Sequence, residues 1–264
     1  MKTFNYHRPG TLGEAVALLG TSSEAKLLAG GQSLIPVLKL ELAQPSDVIS
    51  LAGLTELRGI RKEGDALVVG ALTTHAEVEH SPLVQAHLPA LAALAGHIGD
   101  AQVRNRGTLG GSIAHADPAA DYPAAVLALA ATVHTDRREI AGDDFFTGLF
   151  STALEDGEIV TRVSFAIPRR AAYAKFPHPA SRFAVAGVMV AEHGGGVRVA
   201  VTGAGPSAFR VPAMEAALGA RFAEGAIAGI AVAADELQGD GDFSAEYRAH
   251  LVNVLARRAV AACA

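Results

Sequence analysis

The segment from Gln102 to Tyr122, QVRNRGTLGGSIAHADPAADY, constrains the fold more than any other part of this chain. It holds three glycines within five residues: Gly107, Gly110 and Gly111. Glycine lets the backbone turn with positive φ and approach a ligand closely, so that successive N–H groups can converge on phosphate oxygens. The segment therefore predicts an anion-binding loop. A surface turn, which uses the same residue types for local reasons, is the alternative.

A second glycine pair, Gly30-Gly31, occurs about 75 residues earlier in AKLLAGGQSLIPVLKL, residues 25–40. A short apolar run precedes the pair, and a helix with Pro36 in its first turn is predicted after it. A strand that leads through a glycine turn into a helix directs unpaired N–H groups and the positive end of the helix dipole at an anion. Two such segments together predict a site for a pyrophosphate.

Composition limits the classes of function. The chain has 264 residues and a formal charge of −5, with 22 basic and 27 acidic side chains, so no general attraction to nucleic acid or to an anionic membrane is expected. No apolar stretch reaches the roughly 18 residues that span a bilayer, and the amino terminus lacks the apolar core of a signal peptide, so a cytoplasmic location is expected. The single cysteine, Cys263, cannot form a disulfide framework or hold an iron–sulfur cluster. Redox chemistry would need a bound organic cofactor, with metal centres on other chains.

The order of predicted elements indicates an α/β or α+β fold. Thr11 with Glu14 and Thr74 with Glu77 have the spacing of capping boxes and predict two helix starts. Strands are predicted at residues 2–6, 26–29, 47–51, 66–70, 132–135, 139–141, 159–168, 183–192 and 197–204. Further helices are predicted at 34–40, 82–98, 123–131, 212–218, 223–237 and 244–263. A Pro-, Arg- and Lys-rich stretch at 168–179 predicts a boundary between a first domain, residues 1–170, and a second, residues 171–264.

The two glycine segments, AGGQSLIPVLKL (29–40) and VRNRGTLGGSIAHADPAAD (103–121), resemble the FAD-binding motifs of the medium subunits of molybdenum hydroxylases. This family includes xanthine dehydrogenase and aerobic carbon monoxide dehydrogenase. FNYHRPGTLGEAVALL, GALTTHAEVEHSP, AVTGAGPSAFR and SAEYRAHL extend the similarity over nearly the whole chain. The resemblance implies an α+β fold: a two-lobed FAD-binding domain of the p-cresol methylhydroxylase and vanillyl-alcohol oxidase type, then a small carboxy-terminal domain with an antiparallel sheet and about three helices.

The resemblance also implies which residues hold FAD. They are Ala29, Gly30, Gly31, Gln32, Ser33 and Leu34 in the first segment and Thr108, Leu109, Gly110, Gly111 and Ser112 in the second. The family usually has Asp or Asn in place of Ser112, which leaves one side-chain contact open. Asp121 aligns with an aspartate that binds FAD, although it could instead cap the next helix. Lys175 matches a lysine that contacts the cofactor, and Ile159 an apolar position beside it; a surface lysine and core packing are the respective alternatives.

In the family that this chain resembles, the flavin is one stage of a relay. A molybdopterin large subunit oxidises the substrate, a small subunit carries electrons through two [2Fe-2S] clusters, and FAD delivers them to NAD⁺, a quinone or O₂, in an assembly of (αβγ)2 type. No catalytic residue and no metal site are therefore predicted on this chain, which also lacks a Walker loop, a G-x-S-x-G elbow and an H-E-x-x-H motif. A stand-alone flavin reductase or oxidase of the same fold, and a scaffold that has lost FAD, are the alternatives.

Overall fold

The computed structural model describes residues 2–263, which begin with a small parallel sheet. Its strands are β1 (Asn5–His7), β2 (Lys26–Leu28) and β3 (Asp47–Ser50), in the order β1-β3-β2, connected by helices α1 (Leu12–Leu19) and α2 (Leu34–Lys39). Thr11 caps α1 by accepting from the Glu14 N–H, whereas the Glu14 carboxylate accepts from Gly10 rather than from Thr11. The predicted cap by the Thr11 side chain is therefore present, but the return bond to the Glu14 carboxylate comes from the Gly10 N–H, so the capping box is incomplete.

A five-stranded antiparallel sheet forms the second lobe, in the order β4-β5-β10-β6-β7. Its strands are β4 (Ile60–Glu63), β5 (Ala66–Gly70), β6 (Thr132–Thr135), β7 (Glu139–Ala141) and β10 (Val160–Ala166). The helices between β5 and β6 are α3 (His75–His80), α4 (Pro82–His87), α5 (Pro89–Gly96), α6 (Ala101–Arg104), α7 (Leu109–His115) and α8 (Tyr122–Ala128). A one-turn helix α9 (Gly142–Phe145) and a short hairpin of β8 (Phe146–Gly148) and β9 (Ser151–Thr152) precede β10.

The carboxy-terminal part is a four-stranded antiparallel sheet with helices. The strands are β11 (Arg170–Pro177), β12 (Ala184–His193), β13 (Gly196–Thr202) and β14 (Phe209–Arg210), in that order, and the helices are α10 (Pro212–Ala220), α11 (Glu224–Ile227) and α12 (Ala245–Ala262). One face of the sheet packs against α12 in a core of its own, whereas Tyr173, Met189, Ala191 and Ala200 join the core that surrounds α8. The sheet thus lies between α8 and α12.

The structure confirms the α+β class and the hairpin of β12 and β13. The stretch 168–179, predicted as a boundary, forms β11, so the division into residues 1–170 and 171–264 stays a prediction. Within residues 2–263, no helix has both the length and the apolar character needed to cross a membrane.

Three predicted elements are wrong in detail. The helix predicted at 82–98 is two helices, because Pro89 has no N–H and Leu88 before it adopts a non-helical conformation, φ −148° and ψ 59°. The helix predicted at 223–237 is only α11 and a 3-10 turn at Ala234–Glu236. The second glycine segment, predicted as a loop, contains the whole of α7.

Candidate cofactor site

A cleft of about 500 Å³ lies between the parallel sheet and the five-stranded sheet. Both glycine segments line it, together with residues around the end of β3, the start of α3 and the start of β10. This volume is within the range of small-molecule and cofactor sites. The two segments predicted to act together are therefore brought to one place.

The first glycine segment contributes unpaired backbone donors to this cleft. Gly31 adopts φ +77°, a left-handed conformation that favours glycine and that turns the chain from β2 into α2. Within residues 2–263, the N–H groups of Gly31, Gln32, Ser33 and Leu34 donate to no protein acceptor, and the Ser33 hydroxyl makes no capping bond. Four successive free donors in a cleft wall are suited to binding an anion.

Most backbone N–H groups of the second segment already donate to protein acceptors. Thr108 caps α7, with its Oγ1 accepting from the Gly111 N–H at 3.2 Å. The Leu109 N–H donates to the Thr73 carbonyl at 3.0 Å, and the Gly110 N–H donates to the Ala71 carbonyl at 2.8 Å. This segment is thus fixed to the end of β5, and within residues 2–263 the only one of its N–H groups from Thr108 to Ser112 without a protein acceptor is that of Thr108.

Close packing, rather than the positive φ seen at Gly31, explains the glycines at positions 30, 110 and 111. A Cβ on Gly30 would lie 2.8 Å from the Gly107 Cα and closer still to the Arg106 carbonyl oxygen, so the two segments touch through their backbones. A Cβ on Gly110 would lie 2.5 Å from the Ala71 Cβ, and one on Gly111 would lie 2.8 Å from the Thr108 Oγ1. The cleft wall is therefore built by direct backbone contact.

Most of the residues predicted to hold FAD line this cleft: Ala29, Gly30, Gly31, Gln32, Ser33, Leu34, Thr108, Gly110, Gly111, Ser112 and Ile159. Ile159 also packs in the core between the lobes and is 2% exposed. Leu109, Asp121 and Lys175 are not part of the lining. Leu109 is completely buried and points into the core beneath α7.

Asp121 and Lys175 form a buried ion pair that connects α8 to β11. Lys175 Nζ lies 2.9 Å from the Asp121 carboxylate and also donates to the His97 carbonyl at 3.0 Å; the Tyr173 hydroxyl donates to the same carboxylate at 2.6 Å. The two side chains are 5% and 3% exposed, so the surface-lysine alternative is wrong. Burial raises the pKa of Asp121, against the opposing effects of Lys175 and Tyr173. Asp121 makes no capping bond, so the helix-cap alternative is wrong as well.

Two buried titratable residues that line the cleft, His75 and Glu158, were not predicted from the sequence. His75 is 5% exposed, and burial together with the charge of Arg104 lowers its pKa to about 4. Glu158 accepts from Arg138, from the Thr135 hydroxyl and from the Glu155 N–H, and these partners lower its pKa to about 2. His75 lies in GALTTHAEVEHSP, one of the segments that carry the family resemblance, but no local signal places either residue at a cofactor. Only the fold reveals that they border the cleft.

Comparison with known proteins identifies the family. The model for the FAD binding domain in molybdopterin dehydrogenase matches residues 2–169. The carbon monoxide dehydrogenase medium chain of Hydrogenophaga pseudoflava is 40% identical over 99% of this chain and 98% of its own length. The nicotine 6-hydroxylase medium subunit of Paenarthrobacter nicotinovorans is 39% identical, over 98% and 97%.

Solved structures agree with these sequence matches. The carbon monoxide dehydrogenase structure from Hydrogenophaga pseudoflava superimposes with a TM-score of 0.91 at 40% identity, covering 99% of this chain and 97% of that one. Quinoline 2-oxidoreductase from Pseudomonas putida 86 gives 0.89 at 30% identity, over 100% and 98%. The predicted fold, FAD as the cofactor and the oxidoreductase class are thereby confirmed. This chain belongs to the family of FAD-binding medium subunits of molybdenum hydroxylases.

Proposed function

We propose that this chain is the electron-transfer subunit of a molybdopterin-dependent hydroxylase or dehydrogenase. Its partners would be a small subunit with two [2Fe-2S] clusters and a molybdopterin large subunit, in an (αβγ)2 assembly. Relatives described as medium chains or medium subunits match almost the full length of this chain, which supports a role beside other subunits. When bound, FAD accepts electrons and passes them to an acceptor such as NAD⁺, a quinone or O₂.

The observation that carries this proposal is the set of free N–H groups from Gly31 to Leu34 in the wall of the cleft. These groups would bind the pyrophosphate of FAD. The hydroxyls of Thr108 and Ser112 would add contacts from the second segment, and Ile159 would supply an apolar wall. The backbone contact at Gly30 holds the two segments together.

The cofactor site would also depend on three residues that do not line the cleft: Asp121, Lys175 and Leu109. Leu109 anchors α7 in the core. The ion pair of Asp121 and Lys175 fixes the start of α8, which follows α7 in the chain. These residues would thus hold the cleft wall in place, and a direct contact with FAD would require the buried pair to open.

The amino-acid composition supports a relay rather than a self-sufficient enzyme. One cysteine cannot ligate an iron–sulfur cluster, and Cys263 is buried at the end of the chain. Electrons would therefore reach this subunit from another chain across an interface. The chain itself would bind and orient FAD and keep the wall of the cleft rigid.

Reconstitution tests this proposal. The chain is loaded with FAD and mixed anaerobically with substrate, first alone and then with its iron–sulfur and molybdenum partners, while flavin absorbance is followed. We expect the absorbance to fall only when both partners are present. A rapid fall with substrate alone would contradict the subunit role and favour the stand-alone flavoenzyme.

The choice between flavins tests the pyrophosphate assignment separately. FAD carries two phosphates and FMN carries one, so fluorescence-quenching titrations should give a much lower Kd for FAD than for FMN. Equal affinities would show that the free N–H groups of Gly31 to Leu34 do not bind a pyrophosphate.

A further inference from the structure

His75 is held against the second glycine segment by its own backbone. It is the first residue of α3, and its N–H donates to the Gly107 carbonyl at 3.0 Å. The preceding residue, Thr74, forms a β-bridge with Thr108 and caps α3 in a full capping box. The position of the imidazole is therefore determined by the same contacts that build the cleft wall.

The imidazole has an unsatisfied polar atom although it is almost completely buried. Within residues 2–263, His75 Nδ1 has no hydrogen-bond partner. The ring packs against Tyr122 with 5.3 Å between ring centroids, and this contact fixes its orientation. A Cβ on Gly107 would lie 2.5 Å from His75 Nε2, so the absence of a side chain at position 107 leaves room for this edge of the ring. Both His75 and Gly107 line the cleft.

The charge state of the ring follows from its surroundings. Burial disfavours the imidazolium, and Arg104 adds a repulsive positive charge, so the pKa of His75 falls to about 4 and the ring is neutral at pH 7. A neutral imidazole carries one N–H. Because an unpaired buried N–H is rarer than an unpaired acceptor, we place the proton on Nε2, at the edge that borders Gly107 and the cleft.

We propose that His75 is a further cofactor-binding residue, which donates a hydrogen bond from Nε2 to a phosphate oxygen of FAD. The inference rests on the proposed cofactor cleft and adds a side-chain donor to the backbone donors of Gly31 to Leu34. A phosphate is the expected acceptor because Gly107 adjoins Gly30, where the two glycine segments meet. The neutral ring supplies this donor without placing a buried positive charge in the protein when FAD is absent.

Three substitutions of His75 test whether its ring donates a hydrogen bond to FAD or only fills space. In His75→Gln the amide nitrogen can occupy the place of Nε2, in His75→Asn it can reach only the place of Nδ1, and in His75→Leu no donor remains. We expect the Kd for FAD to rise roughly ten- to hundredfold in the Asn and Leu variants, and to stay within about threefold of wild type in the Gln variant. His80→Leu, at the exposed end of the same helix, is the matched control and should leave the Kd unchanged.

Two measurements besides enzyme activity make the test specific. Affinities for ADP and for riboflavin are titrated in each variant; a bond to phosphate predicts a loss for ADP and FAD and none for riboflavin. Thermal unfolding without FAD is recorded, so that a general loss of structure is recognised.

Wild-type affinity for FAD in His75→Leu would overturn the inference. So would a Gln variant that unfolds like wild type but binds FAD as weakly as the Leu variant. A wild-type chain that binds no FAD at all would instead overturn the proposed function, which makes the two failures distinguishable.

Discussion

The contact at Gly30 allows the most direct test of how the cleft is built. In Gly30→Ala the new Cβ would lie 2.8 Å from both the Arg106 carbonyl carbon and the Gly107 Cα, and closer to the Arg106 oxygen. Ordinary van der Waals contact begins at 3.4 Å, so the 2.8 Å contacts alone require a separation of 0.6 Å and the nearer Arg106 oxygen requires more. The obstacles are backbone atoms that no rotamer change can move. We expect the free energy of unfolding to fall by about 2 kcal/mol, as for other overpacked sites.

The assay is thermal unfolding with and without FAD. A loss of about 2 kcal/mol corresponds to a melting temperature lower by roughly 4–8 °C for a chain of this size. At FAD concentrations one hundred times the wild-type Kd, binding adds about 2.7 kcal/mol to wild type, and a variant that binds tenfold more weakly would gain only about 1.4 kcal/mol. The variant should therefore show both a lower melting temperature and a smaller increase on adding FAD.

Gly13→Ala is the matched control, because it makes the same chemical change in α1 where a Cβ would meet nothing within 4 Å. Alanine has the higher helix propensity, so this variant should be as stable as wild type or more stable by up to about 1 kcal/mol. If Gly30→Ala melts at the wild-type temperature and keeps the full FAD-induced increase, the backbone contact does not build the cleft.

Three further predictions test the surrounding structure. Gly110→Val should lower the yield of folded protein as well as its FAD content, because its Cβ meets Ala71 in the core; a well-folded variant without FAD would contradict this packing. Lys175→Met should reduce the free energy of unfolding by about 3–5 kcal/mol, because Asp121 would stay buried without its cation, and adding Asp121→Asn should recover much of that loss in chemical denaturation. The pKa of Glu158 is lowered in the folded state, so its partners stabilise the protein above the unfolded pKa near 4.5, and this stabilisation is lost as the pH falls toward 2. Glu158→Gln should therefore lower the free energy of unfolding by about 2 kcal/mol at pH 7 and by much less at pH 3. An equal loss at both pH values would refute the assignment.

Local sequence signals predicted some helix ends correctly and others not. The capping box of Thr74 and Glu77 is complete, with bonds in both directions, because both partners lie within one helical turn. The helix broken at Pro89 could have been predicted, since proline disfavours a helical conformation in the residue before it. The short α7 is harder to predict, because Gly110 and Gly111 lower its helix propensity and part of the compensation is long-range packing against Ala71.

Long-range contacts limit how much of the cofactor site could be predicted from the sequence. The two glycine segments could be assigned to one site because their residue types suggest the same ligand. By contrast, the pairing of Asp121 with Lys175 crosses more than fifty residues and leaves no periodic signal in the sequence. His75 is a similar case, because nothing in the sequence indicates that its ring borders Gly107.

The position of α8 between the two parts of the chain has a consequence for biosynthesis. Asp121 leaves the ribosome about 80 residues before Thr202, the end of β13, which takes roughly 4–16 s at typical rates of translation. During this interval the apolar side of α8 that β12 and β13 later cover lacks its partners, and Lys175 becomes available to Asp121 only after 54 further residues. The amino-terminal lobes therefore cannot complete their core cotranslationally in isolation. We expect a chain released before β13 to be prone to aggregation even though it contains both glycine segments.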